Sequence, residues 1–144
     1  MQLSIFRIDK TLPLPEYKTP GAVAFDLCAR VTMIIEPRAI ESVPMNIIVQ
    51  IPIGYTLLLA SRSSAPKKKG LAIPHGIGII DLDYCGPGDE LKAQVQNITD
   101  APVTVERGER IAQALIVPIA RVELVERELA TTASRGGFGS TGLR

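Results

Sequence analysis

The 144-residue chain has no tryptophan, two cysteines and one histidine, and its 16 lysines and arginines nearly balance its 15 aspartates and glutamates. The net charge of +1 gives no electrostatic basis for binding DNA, RNA or a membrane surface, so we expect neither nucleic acid nor membrane as a partner. Two cysteines without CxxC spacing and a single histidine do not match the ligand pattern of a zinc site.

Long apolar runs are also absent. No run is long enough to span a bilayer, and residues 1–10 mix charged and apolar side chains, so we expect no signal peptide. These features predict a soluble protein of a reducing compartment, the cytoplasm, in which Cys28 and Cys85 are free thiols. A single disulfide between the two cysteines is the alternative.

Hydrophobic residues make up 46% of the chain, and 12 glycines and 11 prolines divide them into short pieces. Each piece has the length of a strand and is rich in Ile, Val and Leu. The predicted strands are residues 2–8, 22–29, 41–51, 55–60, 76–84, 90–98 and 111–119. This pattern predicts one all-β domain, a compact sandwich or barrel.

Two segments are ambiguous. Residues 63–69 are predicted to form one or two helical turns, with Ser63 or Ser64 as the N-cap. Residues 110–129 have a helix-like composition, but Pro118 interrupts them, and a proline in a helix interior costs ~3 kcal/mol. We therefore predict two strands, broken near Pro118.

The end of the chain differs in composition from the rest. Residues 131–144 are mostly Ser, Thr, Gly and Arg with one Phe, and they cannot supply a core. We predict a domain of residues 1–130 followed by a flexible arm of residues 131–144. Such an arm can extend roughly 45 Å, which is enough to contact another subunit.

Two segments in the first half of the chain carry residues suited to chemistry. Asp26 lies inside the apolar segment 24–29, where a lone carboxylate is costly unless it is paired or near a cation. Segment 61–70 ends an apolar strand in Arg62 and hydroxyl groups, which can hold phosphate oxygens. A solvent-facing strand residue and a capped loop are the ordinary explanations.

Three further segments follow. In segment 76–86, Asp81 and Asp83 would share one face of a regular strand and Tyr84 would lie on the other, so a common ligand requires a bend. In segment 109–116, Arg110 and Gln113 are polar residues in an otherwise apolar strand. Segment 135–142 places an arginine, a phenylalanine and hydroxyls among glycines, a composition suited to closure over a nucleotide.

In this order, the five segments resemble the five sequence motifs of the trimeric dUTPase family. The third and fifth are the most specific: Ile80-Asp81-x-Asp83-Tyr84-x-Gly86 and Arg135-Gly-x-Phe138-Gly-Ser140-Thr141-Gly. The resemblance implies a homotrimer of all-β chains, each a compact jelly-roll-like barrel or sandwich of the β-clip type with at most one short helix.

The resemblance also implies an activity, the hydrolysis of dUTP to dUMP and pyrophosphate by attack of water on the α-phosphorus. This reaction limits uracil in DNA and supplies dUMP for dTMP synthesis. Mg²⁺ is the implied cofactor. The active sites of the family take residues from more than one chain.

The roles of individual residues are implied in the same way. Asp81 resembles the general base that orients the attacking water, and Gln113 resembles the glutamine that helps to hold this water. Tyr84 resembles the tyrosine that stacks under deoxyribose and excludes a 2′-hydroxyl. Asp26 resembles the residue that contacts Mg²⁺ indirectly, through water. The other implied substrate contacts are Arg62, Ser63, Ser64, Arg135, Ser140 and Thr141 for phosphate, and His75, Gly76, Ile77, Gly78, Ile80, Phe138 and Gly139 for the nucleoside.

The chain departs from the family pattern in two places. Ser61 and Ser64 stand where the family more often has Pro and Gly, and residues 85–90 form a longer connection than the commonest family turn. We expect a longer surface loop beside an intact pocket, and we expect Arg110 to be an ion-pair partner of Asp26. No catalytic role is assigned to His75.

Three alternatives remain open on the sequence. A dCTP deaminase resembles dUTPases in fold, but it requires a catalytic glutamate in the third segment, which here offers Asp81 and Tyr84. A non-catalytic nucleotide sensor would not require Asp81, Gln113 and Arg135 together. A β-sandwich adhesion or carbohydrate module leaves the glycine-rich arm unexplained.

Overall fold

The computed structural model describes residues 1–130, 132–134, 136 and 137. These residues form eleven strands and one short helix. The strands are β1 (Ser4–Arg7), β2 (Phe25–Cys28), β3 (Met33–Ile35), β4 (Ile40–Pro44), β5 (Ile47–Gln50), β6 (Tyr55–Ser61), β7 (Leu71–Ala72), β8 (Ile77–Ile80), β9 (Lys92–Asn97), β10 (Val103–Val105) and β11 (Arg110–Pro118), and the helix is α1 (Ala65–Lys69). Arg135, Phe138, Gly139, Ser140 and Thr141 lie outside the described residues.

All strand pairs are antiparallel, and they form four open sheets. The largest has the order β2-β11-β6-β8, and a second has the order β4-β9-β7. The other two sheets are the pairs β1-β5 and β3-β10. The predicted all-β class with one short helix is therefore confirmed.

Alternating side chains build the core. In β2, Phe25 and Leu27 are buried, whereas Asp26 on the opposite face is partly accessible. In β9, Ala93 and Val95 are buried in the same alternating way. A side chain such as Leu or Val contributes about 1.5–3 kcal/mol when it is fully buried, so each short strand is held by its inward face.

The predicted strand at residues 41–51 is wrong as a single element. It is divided into β4 and β5 because Asn46 has a φ of 67°, a left-handed conformation that asparagine adopts more readily than most residues. The Asn46 side chain stabilises the bend, accepting a hydrogen bond from the Asp9 amide at 2.7 Å and donating one to the Asp9 carbonyl oxygen at 3.0 Å. The bend sends β4 and β5 into different sheets.

The sequence prediction missed β7, which has two residues, and β3 and β10, which have three residues each and pair with each other. Strands of this length are too short for an alternating pattern to stand out. The second strand predicted after Pro118 is also wrong, because residues 119–130 contain no strand in this chain. Leu124 is 91% exposed and Val122 is 73% exposed, so these apolar side chains are not covered by the rest of a single chain.

The helix α1 spans five residues. No helix in the described part of the chain has the length and apolarity required to cross a membrane.

Candidate active site

Three sequence segments meet at one polar cavity of about 190 Å³, which we call the Arg62 pocket. The strand register explains the meeting: Gln113 of β11 lies opposite Asp26 of β2 on one side and opposite Ala60 of β6 on the other. Arg62 follows two residues after Ala60. The lining is Lys18, Ala22, Ala24, Asp26, Arg62, Ser63, Ser64 and Gln113.

The Asp26 carboxylate is held by two arginines. Arg62 Nε donates to Oδ1 at 2.9 Å and Arg110 Nη1 donates to Oδ2 at 2.9 Å. The Asp26 side chain is only 12% exposed, so this pairing offsets the cost of removing its charge from water. The predicted ion pair between Arg110 and Asp26 is confirmed, and the cluster of three side chains keeps a net positive charge.

The serines that follow Arg62 lead into α1. Ser64 is the N-cap residue of α1, but its side chain makes no capping hydrogen bond. The helix is closed at its other end by Gly70, whose φ of 68° is left-handed and whose amide donates to the carbonyl oxygens of Ala65 and Pro66. The predicted short helix is therefore confirmed, and the Ser64 hydroxyl lines the Arg62 pocket without a role in the helix.

Gln113 and Lys18 complete the polar lining. Gln113 Nε2 donates to the Ser61 carbonyl oxygen at 3.0 Å, which fixes the plane of the amide beside the pocket. Lys18 lies in the loop before β2 and pairs with Glu16. Sequence reasoning missed Lys18, because a single lysine in a loop carries no distinguishing signal.

The third segment forms β8 and the turn that follows it. The chain leaves the strand after Ile80, and the Tyr84 amide then donates to the Asp81 carbonyl oxygen at 3.3 Å. A turn therefore follows β8 directly, between Asp81 and Tyr84. A ring nitrogen of His75, Nδ1, lies 3.0 Å from the Ile77 carbonyl oxygen, so the histidine side chain stabilises the entry into β8.

A cavity of about 420 Å³, the Tyr84 cavity, lies on one side of β8. It brings together most of the residues predicted to contact the nucleoside. The lining is Ser42, Leu59, His75, Ile77, Gly78, Ile79, Ile80, Tyr84, Lys92 and Gln94. Sequence reasoning missed Ser42, Lys92 and Gln94, which reach the cavity from β4 and β9 in another sheet.

Asp81 lines a neighbouring cavity of about 480 Å³, the Asp81 cavity, together with Tyr55, Thr56, Ile79, Ile80, Leu82, Asp83, Ile119 and Arg121. Ile79 and Ile80 line both cavities. Asp81 and Tyr84 therefore lie on opposite sides of the end of β8, and each lines a different cavity.

Asp81 and Gln113 do not meet in one chain. Gln113 and Ile77 both lie opposite Ala60 of β6, so these three residues form one row across the sheet. Ile80, the last residue of β8, lies three residues beyond Ile77, about 10 Å along the strand in addition to about 10 Å across two strand spacings, and Asp81 follows Ile80. One water molecule cannot contact both side chains of the same chain.

The cysteines take no part in this arrangement. Cys28 and Cys85 are both free. Burial raises the pKa of the Cys28 thiol, so this group is protonated at neutral pH and is a poor nucleophile. No group of three or more His, Cys, Asp or Glu side chains suited to a metal ion is present in the part of the chain that the structure describes.

The fold and the cavities define a small antiparallel β-protein with an arginine- and hydroxyl-lined pocket suited to a phosphorylated ligand. Residues 10–142 match the family model described as dUTPase. The chain therefore belongs to the dUTPase family.

Similar proteins cover the whole chain. The deoxyuridine 5′-triphosphate nucleotidohydrolase of Hydrogenobaculum sp. (strain Y04AAS1) is 40% identical over 147 residues, covering 100% of each chain. The enzyme of the same name from Dictyoglomus turgidum is 36% identical and covers 99% of each chain.

Solved structures agree with the fold. The dUTPase of Staphylococcus bacteriophage 80alpha with dUPNHPP has a TM-score of 0.86 at 28% identity and covers 99% of each chain. The dUTPase from Streptococcus mutans has a TM-score of 0.78 at 33% identity, covering 85% of this chain and 99% of that chain. A mutant dUTPase from phage phi11 of S. aureus, whose structure concerns the coordination of a structural Mg(II) ion, has a TM-score of 0.79 at 25% identity, covering 90% of this chain and 98% of that chain.

Proposed function

We propose that this chain hydrolyses dUTP to dUMP and pyrophosphate at active sites shared between the subunits of a homotrimer. The relatives named deoxyuridine 5′-triphosphate nucleotidohydrolase, which match over the full chain, support the substrate. The distance between Gln113 and Asp81 within one chain carries the proposal of a shared site. If both side chains act on one water, they must come from different subunits.

The Arg62 pocket is the proposed triphosphate half of the site. Arg62, Ser63 and Ser64 provide donors for phosphate oxygens, and the positive charge of the arginine complements the polyanion. Arg62 uses Nε and Nη1 in bonds to Asp26 and to the Arg110 carbonyl oxygen. These bonds hold the guanidinium in one orientation before a ligand arrives, which lowers the entropy cost of binding.

The Tyr84 cavity of another subunit is the proposed nucleoside half. Among the described residues β8 pairs only with β6, so its outer edge offers main-chain donors and acceptors to a base. His75, Gly76, Ile77, Gly78 and Ile80 are the residues proposed to read uracil. A thymine methyl or a cytosine amino group would meet a clash or a mismatched hydrogen bond there.

Tyr84 is proposed to stack under the deoxyribose and to leave no room for a 2′-hydroxyl. Asp81, on the other side of the same strand end, is proposed to orient the attacking water and to accept its proton. A positioned carboxylate acting in this way contributes ~10²–10⁴-fold to the rate. Gln113 of the facing subunit would hold the same water through its amide.

Mg²⁺ is the proposed cofactor. The oxygen donors near the Arg62 pocket are few, and the Asp26 carboxylate already accepts bonds from two arginines. This donor set fits an ion that keeps several waters and is held mainly by substrate phosphates. Asp26 would accept hydrogen bonds from those waters, and the bound ion would neutralise charge on the phosphates.

The arm of residues 131–144 is proposed to close over a site of another subunit. Arg135, Ser140 and Thr141 would contact phosphates, and Phe138 with Gly139 would cover the base. The exposed apolar side chains Val122, Leu124, Val125 and Leu129 support this proposal, because apolar side chains of this kind are stabilised by contact with a second chain. The cytoplasm is the proposed location, supported by the two free thiols.

The shared site can be tested by mixing two inactive variants. Asp81→Asn and Gln113→Ala would each lose turnover as pure proteins. When the two are unfolded together and reassembled, about one site in four would combine an intact Asp81 with an intact Gln113 if subunits assort at random in a symmetric ring. Recovered activity is expected, and its complete absence from mixed trimers of verified mass would show that both residues act within one chain.

The substrate can be tested by measuring pyrophosphate release from dUTP, dTTP, dCTP and UTP, with and without Mg²⁺. We expect release from dUTP far above the other three and a strong dependence on Mg²⁺. Release of ammonia from dCTP, without pyrophosphate from dUTP, would instead identify a deaminase.

A further inference from the structure

The Tyr84 hydroxyl is tied to the main chain of Glu90. Tyr84 Oη donates to the Glu90 carbonyl oxygen at 3.1 Å. The five residues between them form a turn with two internal hydrogen bonds. The Gly86 amide donates to Asp89 Oδ2 at 2.7 Å, and the Asp89 amide donates to the Gly86 carbonyl oxygen at 3.0 Å. The extra loop predicted after Tyr84 is therefore an ordered turn that brings Tyr84 and Glu90 together.

Glu90 is a buried charged residue. Its side chain is 8% exposed, and both carboxylate oxygens are used. Arg30 donates from Nε to Oε1 at 2.8 Å and from Nη2 to Oε2 at 2.9 Å, and the Asn46 amide donates to Oε1 at 2.8 Å. These three bonds hold the Glu90 side chain, whereas the Tyr84 hydroxyl bonds to the Glu90 main chain.

The partners of Glu90 are themselves fixed. The Arg30 amide donates to the Pro44 carbonyl oxygen at 2.8 Å, and Asn46 is bonded to Asp9 through its side chain. The next residue after Glu90, Leu91, donates to the Ile47 carbonyl oxygen at 2.8 Å. Glu90 is therefore joined to three separate parts of the chain.

Stability alone is a weak reason for such a network. A buried ion pair loses its hydration, and replacement by apolar residues of similar size is often neutral or stabilising. A bidentate pair does, however, hold a main-chain position more narrowly than apolar contacts do, because each hydrogen bond restricts both distance and angle. The position held here is the acceptor of the Tyr84 hydroxyl.

We propose that Glu90 is a positioning residue for sugar selection: its carboxylate fixes the main-chain acceptor that sets the Tyr84 ring in place against the sugar. The inference rests on the proposed function of Tyr84. A ring that is free to tilt would still bind deoxyribose, but it would no longer exclude a 2′-hydroxyl as strictly. Glu90 would thus act on the choice between dUTP and UTP without contact with either.

The test compares kcat/KM for dUTP and for UTP in four proteins: wild type, Glu90→Gln, Tyr84→Phe and the double variant. Glutamine keeps the shape of Glu90 but sets an amide NH₂ against the donors of Arg30. Each single variant is expected to lower the dUTP over UTP selectivity about five- to tenfold, the size of one hydrogen bond, mainly by raising turnover of UTP. The double variant is expected to be no worse than either single variant, because both break the same link.

A matched control separates positioning from loss of stability. Val105→Ala removes a fully buried side chain in β10 and is expected to lower the Tm while leaving selectivity unchanged. If Glu90→Gln does not fold, Arg30→Lys keeps the charge and removes the bidentate geometry, and it should also lower selectivity.

Two results would overturn the inference. One is unchanged selectivity in folded Glu90→Gln, and the other is additive losses in the double variant. The failure of the proposed function looks different, since it would appear as full sugar discrimination in Tyr84→Phe and Tyr84→Ala, whatever Glu90 does.

Discussion

The Thr56 hydroxyl donates a 2.7 Å hydrogen bond to the carbonyl oxygen of Ile80, the last residue of β8. Asp81 follows directly, so this bond fixes the point from which the proposed general base leaves the strand. Thr56→Val keeps the shape of the side chain and removes the donor. We expect kcat for dUTP to fall about three- to tenfold with little change in KM, because a slightly misplaced group weakens the chemical step more than binding.

The control for this variant is Thr104→Val. Thr104 is also a strand threonine, partly buried where Thr56 is buried, but it lies in β10 and lines neither the Asp81 cavity nor the Tyr84 cavity. Both variants are expected to change stability by about 1 kcal/mol or less. An equal kcat in the two variants, measured on folded protein, would rule out a positioning role for Thr56.

Asp81 itself is tested by Asp81→Asn, which keeps the size of the side chain and removes its basicity. Turnover of dUTP should fall ~10²–10⁴-fold. Binding of a non-hydrolysable dUTP analogue, measured by calorimetry, should stay close to wild type, because the substitution removes an interaction made in the transition state. Asp83→Asn is the matched control, since Asp83 lines the same cavity; near-normal turnover in Asp81→Asn would mean that another group is the base.

Arg62 and Arg110 both pair with Asp26, but only Arg62 lines the pocket proposed for the triphosphate. Arg62→Met should raise KM for dUTP about 10- to 100-fold, the value of one hydrogen bond to a charged group. Arg110→Met should leave the kinetic constants near wild type and lower the free energy of unfolding by about 1 kcal/mol, because its side chain is 42% exposed. Steady-state kinetics and urea unfolding of both variants check this division of roles, and a similar rise in KM for Arg110→Met would contradict it.

Gly70, at the end of α1, is expected to tolerate no side chain. Its φ is 68°, and an added Cβ would lie 2.2 Å from Thr99 Cγ2. The Thr99 side chain cannot rotate away freely, because its hydroxyl is bonded to Asn97 Oδ1 at 2.7 Å. Gly70→Ala should therefore lower the free energy of unfolding by about 2–4 kcal/mol, the sum of the backbone strain and the overpacking.

Two further variants separate these contributions, measured by urea unfolding at a fixed protein concentration. Gly54→Ala has a similar φ of 85° but open space around the new Cβ, so it should cost only about 1 kcal/mol of backbone strain. Adding Thr99→Ser to Gly70→Ala removes the clashing methyl and keeps the hydroxyl, and it should recover the steric part of the loss. Equal losses in the free energy of unfolding for Gly70→Ala and Gly54→Ala would show that the contact with Thr99 does not lower stability.

The sequence was sufficient for the all-β class and the short helix, because short apolar pieces divided by glycine and proline, and a serine suited to an N-cap, are local signals. It was not sufficient for the division of residues 41–51 into β4 and β5 at Asn46, since an asparagine in the sequence does not by itself indicate a left-handed conformation. The pairing of Asp26 with Arg110 was predictable from the cost of a lone carboxylate in a strand. That Arg62 shares the same carboxylate depends on the register of β6 against β11, and register is a property of the folded sheet.

The same limit applies to the candidate site. The order of the five segments indicated which residues belong to it, but not that Asp81 and Gln113 lie too far apart to act together in one chain. Lys92 and Gln94 of β9 and Ser42 of β4 reach the Tyr84 cavity across two sheets. The positions of these three residues in the sequence do not predict that contact, because the contact arises from packing between sheets.

The proposed role of the arm is tested by deleting residues 135–144. The buried core consists of residues that precede position 115, so the truncated chain should keep the Tm and the subunit number of the full-length protein. We expect kcat/KM for dUTP to fall by ~10² or more, because an arginine and an aromatic cover over the substrate would both be lost, together with the exclusion of water that closure provides. Arg135→Ala and Phe138→Ala divide the effect: loss of the arginine should weaken the contact with the triphosphate, whereas loss of the ring should raise KM for dUTP and for dUMP alike. If the truncated protein turned over dUTP at the wild-type rate, the arm would have no part in the mechanism, and the proposed shared site would have to be completed by residues 1–134 of two chains alone.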